Sequence, residues 1–207
     1  MKIPQSWKDI TINQYIETLP SSMEGKSDIE AIIHRLKVLC NISHEQARDT
    51  TVSRMYEIIE QLKFMEQPPK GVYKKRFKLN GQWYEVSPDI RDHKADNYMF
   101  CMDRLKELNR DPETIEKNLH LIMAIVCIPM KRNGFKWVKD EQKDILKLSA
   151  EFYEDLTMDI VFPISVFFCE LSRNLTEIIS DSLTQRITKA EEIQKAIRED
   201  LQRSTDG

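Results

Sequence analysis

Four residues near the middle of the chain have the types and spacing of a metal site. Asp89, Asp92, His93 and Asp96 recur at i, i+3, i+4 and i+7, so a helix would gather them on one face. The set matches neither a zinc pattern nor a calcium loop. It reads instead as the polar first turns of a helix, where acids suit the positive end of the helix dipole. No metal is expected. Nucleophilic chemistry has less support. The chain has no Gly-x-Ser-x-Gly, no phosphate-cradling glycine loop and no His-Glu-x-x-His. Its glycines number five, and Gly81 and Gly134 follow asparagines in turn dipeptides. Cys40, Cys101, Cys127 and Cys169 stand far apart among apolar residues, the pattern of buried thiols in a reducing compartment. The chain is expected to be no enzyme and to take no cofactor.

Cations interleaved with aromatics are the second kind of candidate. Lys70, Lys74, Lys75, Arg76 and Lys78 alternate with Tyr73 and Phe77 and precede Trp83 and Tyr84. Lys131, Arg132, Lys136 and Lys139 surround Phe135 and Trp137. A groove for single-stranded nucleic acid combines these residue types, and Lys74, Lys75, Arg76, Lys78, Lys136 and Trp137 would carry such binding. Lysines on exposed strand edges also serve simply to prevent edge-to-edge pairing. The formal net charge of −3 gives no general attraction to polyanions, so nucleic acid ranks as the alternative partner.

The elements that must hold these residues are mostly helices. A polar sequence, with 31% charged and 41% hydrophobic residues, has one strongly apolar stretch, Asp159 to Ser182. Ile160, Ile164, Phe167, Phe168, Leu171, Leu175, Ile178 and Ile179 recur at spacings of three and four, and at its start the stretch is apolar almost all round. It predicts a buried central helix, with Pro163 in its first turn or kinking it, and a helix from Pro112 to Pro129 as its direct partner. Before these, Thr11, Ser27 with Glu30, Ser43 and Thr51 have the form of helix N-caps. The second of those helices offers Ile29, Ile32, Ile33, Leu36, Val38 and Leu39 to the core, and the last one runs through Met55, Ile58, Ile59, Leu62 and Met65. Trp7 is expected to pack back and pin the N-terminal arm.

Gln67-Pro-Pro-Lys-Gly stops helix formation. Beyond it, two alternating runs flank Asn80-Gly81, the preferred two-residue hairpin turn, with the aromatic face predicted to dock on helices. Residues 130–140, with a second Asn-Gly at Asn133-Gly134, suggest a further small hairpin, and Glu141 to Glu154 a helix. The expected fold is therefore mainly α: a multi-helix globular domain with one β-hairpin at about 72–86 and a C-terminal amphipathic helix. Its parts are an N-terminal helical lobe (1–67), a lobe of hairpin and helical core (70–180) that together with the first makes one compact domain, and a tail (181–207). In the tail Leu183, Ile187, Ile193, Ile197 and Leu201 form a narrow apolar stripe, suited to a partner or to self-association. The start MKIPQSWKDI has no apolar leader, and no run reaches the ~18 apolar residues of a membrane span, so a soluble, intracellular protein is expected.

The order of these elements resembles a known family, the tail assembly chaperone-like proteins of long-tailed bacteriophages of Bacteroides-type hosts and related siphophages. The resemblance rests on Trp7-Lys-Asp-Ile-Thr-Ile-Asn-Gln-Tyr15, the segment ending Leu39-Cys-Asn-Ile42, and the hairpin Phe77 to Val86. Glu116 to Pro129 and the Phe162–Leu171 helix complete it. It covers most of residues 1–180. What it implies is a non-enzymatic helper in the host cytoplasm, binding the phage tape-measure protein and presenting it to tail-tube subunits. A related implication is a structural component of the virion head or tail. The family has no catalytic residues to transfer.

Overall fold

The computed structural model describes residues 1–69, 73–87, 99, 112–134, 136–140 and 144–166. All of them lie in one compact unit, Met1–Phe167. The predicted tail, with Leu183, Ile187, Ile193, Ile197 and Leu201, lies outside the described residues, as do Asp89, Asp92, His93 and Asp96.

Four N-terminal helices begin where the capping residues place them: α1 (Ile12–Glu17), α2 (Asp28–Cys40), α3 (His44–Arg48) and α4 (Val52–Gln61). Thr11 Oγ1 accepts from the Gln14 N–H, and the Gln14 side chain accepts from the Thr11 N–H in return. Ser27 with Glu30 and Ser43 with Gln46 repeat the device. Each pair satisfies backbone donors that a helix start leaves open. Asn41 ends α2 in the left-handed region at φ 49°, which asparagine tolerates better than most residues. Ile33, Leu36, Cys40, Ala47 and Ile58 form a buried cluster among α2, α3 and α4.

The sheet is larger than expected. β1 (Arg76–Leu79), β2 (Gln82–Val86), β3 (Cys127–Asn133) and β4 (Lys136–Lys139) form one four-stranded antiparallel sheet in that order. The fold remains mainly helical, but it holds two hairpins joined through β2 and β3, not one hairpin. Asn80 (φ 47°) and Gly81 (φ 83°) make the first turn with two consecutive positive φ values, and Gly134 (φ 61°) lies in the second. The strand from Cys127 to Asn133 corrects the predicted helix to Pro129. Pro129 disfavours helical geometry at Ile128, and Cys127 is already extended at φ −98°, ψ 126°. Upstream, a turn at Asn118 divides the predicted helix into α5 (Pro112–Lys117) and α6 (Leu119–Val126).

β1 and β2 lay their inner face on α7 (Ile145–Asp155), which begins at the N-cap Asp144 instead of at Glu141. Phe77 and Tyr84 stack at 5.3 Å, and Phe152 of α7 meets them at 6.2 and 5.1 Å, fully buried. α6 is apolar almost all round, is buried along its length except at His120, and packs on α7. The chain then pairs with its own beginning. Ile12 N–H donates to Leu156 C=O and Met158 N–H to Ile10 C=O, at 3.0 and 2.9 Å. A helix follows over 158–166, with Pro163 in its second turn. Val161 and Ile164 are buried there, but Val166 is 45% exposed, so the helix start is not enclosed all round.

Trp7 pins the arm as expected. Its indole N–H donates to Gln67 C=O at 3.1 Å, and its ring meets Phe64 and Tyr15 edge-on at 5.6 and 6.1 Å. The break after Gln67 thus ends a helical run without dividing the unit.

Candidate functional site

Two surfaces carry features that folding alone does not require. The first is an apolar groove of about 510 Å³ in the N-terminal helices, walled by Trp7, Tyr15, Ile32, Leu36, Ile59 and Leu62. Arg35 and Lys63 stand among its lining residues as cations, Glu66 as an anion. The groove continues onto α4, where Val52 and Tyr56 are each 67% exposed and Ile59 38%. Spacings of four and three align these side chains on one stripe of the helix. Ile58, one residue from Ile59, is fully buried and holds α4 to the core, so α4 is apolar on two adjoining sides. Ile59 lines the groove, and Ile29, expected in the core, is 68% exposed. Single exposed apolar residues are ordinary, but a stripe adjoining a concavity is the form of a protein-binding surface. Periodicity alone cannot separate these positions, because both apolar sides of α4 repeat at the same spacing.

The second surface is the outer face of the sheet. The register sets Arg76 opposite Glu85, Lys78 opposite Trp83, Trp83 opposite Met130, and Arg132 opposite Trp137. Alternation then puts Arg76, Lys78, Trp83, Glu85, Ile128, Met130, Arg132, Trp137 and Lys139 on one face, and Lys136 on the other. On that first face Glu85, Ile128 and Met130 are buried, and Lys78, Trp83, Arg132 and Trp137 are exposed. Glu85 neutralises two of these cations. Arg76 donates to its Oε2 through Nε and Nη2 at 2.8 and 2.6 Å, and Lys139 Nζ lies 3.7 Å from Oε1. Lys139 stands on β4 and Glu85 on β2, so the lysine stem crosses β3, over the buried Ile128 and Met130. Lys131 is likewise paired, with Asp140 at 3.1 Å. Of the six residues singled out for nucleic acid, Arg76, Lys78 and Trp137 are brought to one strand face. Lys74 and Lys75 are exposed ahead of β1.

Several titratable groups are buried at the contacts between elements. Tyr15 Oη donates to Glu116 at 3.1 Å; burial, then the Glu116 charge and hydrogen bond, hold its pKa above the ordinary 10. Tyr84 is raised by burial and then by Glu151. Each pair fastens one element to another. His34 is half-buried, its Nε2 3.0 Å from Glu17 C=O. Cys40 and Cys127 are buried thiols, and burial raises the Cys40 pKa. Among the described residues, no three His, Cys, Asp or Glu side chains gather to hold a metal, and no helix is long and apolar enough to cross a membrane.

Compared with known proteins, the chain matches no family model, no curated sequence and no solved structure.

Proposed function

We propose that this chain is a non-enzymatic assembly factor that binds an amphipathic helix of a protein client in the groove beside α4. The observation that carries this reading is the continuity of the groove with the exposed Val52, Tyr56 and Ile59 stripe. A client helix laying its apolar side there covers both at once, the helix-in-groove mode of recognition. The order of elements favours a phage tail assembly chaperone, whose client is the long helical tape-measure protein. In that role the tail residues Leu183, Ile187, Ile193, Ile197 and Leu201 supply a second apolar contact, and tail-tube subunits are recruited to the complex in the host cytoplasm.

The test is co-expression with the tape-measure and tail-tube proteins of the same genome, followed by sizing of the soluble fraction. The expected result is a soluble tape measure co-eluting with this chain. Y56E/I59E alters exposed positions and is expected to weaken the complex at least tenfold while leaving the helical circular dichroism unchanged. A client that precipitates while this chain elutes alone overturns the reading.

A further inference from the structure

We propose that the outer face of the sheet is a second, independent site that binds single-stranded nucleic acid, with Trp83 and Trp137 as stacking platforms and Lys78 and Arg132 as phosphate contacts. The chain has three tryptophans. Trp7 is anchored by its indole hydrogen bond to Gln67. The other two share the outer face, Trp83 37% and Trp137 44% exposed. Each has a cation directly opposite on the neighbouring strand: Lys78 for Trp83 and Arg132 for Trp137. Among the described residues neither cation has an ion pair, whereas Arg76 and Lys139 are held on Glu85.

Protection of a sheet edge accounts for the lysine on β1 but not for the tryptophans. A charge alone deters edge pairing, and an exposed indole works against it. Nor is Trp83 an edge residue, because β2 is an inner strand. Two strand spacings and two residues separate the tryptophans, about 12 Å by sheet geometry, which suits two different bases of one strand. Bases stack on indoles without regard to sequence, and adjacent cations take the phosphates between them. A duplex keeps its base faces stacked internally, so this face selects single strands. The acidic whole sets no general field in favour of a polyanion, and two phosphate contacts give a shallow salt dependence. At a slope of about −0.7 per contact, the affinity falls roughly sevenfold between 50 and 200 mM salt.

The test uses the full chain with a twelve-residue oligo(dT), read by quenching of tryptophan fluorescence and by anisotropy of a labelled strand. Saturable binding is expected, with the shallow salt dependence above and at least tenfold preference over a duplex of the same length. W83A and W137A are each expected to weaken it roughly fivefold or more, W83F to retain part of the affinity, and K78E/R132E to abolish the salt dependence along with most of the binding. Circular dichroism and the thermal midpoint identify any variant that fails to fold, and the charge reversals at exposed positions then stand as the second variant. No binding at 20 mM salt, equal binding of duplex, or affinity unmoved by both tryptophan substitutions overturns the proposal. Y56E/I59E is expected to leave oligo(dT) binding unchanged, which separates this site from the groove.

Discussion

His120 stands on α6 with its ring edge-on to Tyr153 of α7, 5.2 Å between centroids. Its Nδ1 is buried and has no hydrogen-bond partner among the described residues. Burial holds its pKa below the ordinary 6.5. As pH falls, the unfolded chain therefore takes up the proton before the folded one does. The stability linked to this group is complete above pH 6.5 and is lost progressively below it. H120F keeps the ring contact and removes the titration. Urea midpoints measured from pH 7.5 to pH 5 are expected to decline less steeply in H120F than in the parent. Glu85 matters at the same scale through its ion pairs. It is buried, yet two cations satisfy it, Arg76 through two hydrogen bonds and Lys139 as an ion pair at 3.7 Å. Glu85→Ala leaves Arg76 and Lys139 facing one another without an anion between them, and is expected to lower stability by about 2 kcal/mol, read from urea midpoints.

Among the elements, caps and turns were the most legible from sequence. Thr11, Ser27, Ser43 and Thr51 each start a helix, because a side-chain oxygen at that position satisfies a backbone donor whatever surrounds it. Asn80-Gly81 was equally legible, since positive φ is a property of the residue itself. Thr11→Ala is expected to cost about 1 kcal/mol by thermal or urea unfolding. The strand from Cys127 to Asn133 was not legible to the same degree. The apolar run from Leu119 to Met130 has no period that distinguishes a buried helix from a buried strand, and only Pro129 marks the change. The groove was illegible for a related reason. Ile58 and Ile59 are both apolar and adjacent, and only the packing of α2 against α4 decides which of them is covered.

For the molecule, the aromatic contact of Phe77 and Tyr84 with Phe152 joins sheet to helices, while Tyr15–Glu116 and Ile12–Leu156 tie the N-terminal helices to the later ones. Residues 1–167 are therefore expected to unfold in one transition. W83F/W137F leaves Trp7 as the reporter of the N-terminal helices, and W7F leaves the reporters of the sheet. Phe152→Ala, which opens a cavity of an aromatic ring's size, is expected to cost about 3–5 kcal/mol and to lower the midpoint equally in both backgrounds. Unequal shifts would mean that the sheet and the N-terminal helices melt separately. Both proposed surfaces depend on this unit but share no residue, so they can be disabled one at a time.

The pairing of residues 10–12 with 156–158 has a consequence for synthesis. Ile10 and Ile12 leave the ribosome before the residues they pair with, and both are fully covered in the finished unit. Their backbone partners are translated about 145 residues later, at roughly 5–20 residues per second, so the arm waits seconds to tens of seconds for them. Throughout that interval two isoleucines that end with no exposed surface are open to any apolar stripe nearby. A nascent copy of this chain is thus itself a candidate for protection until residue 158 emerges.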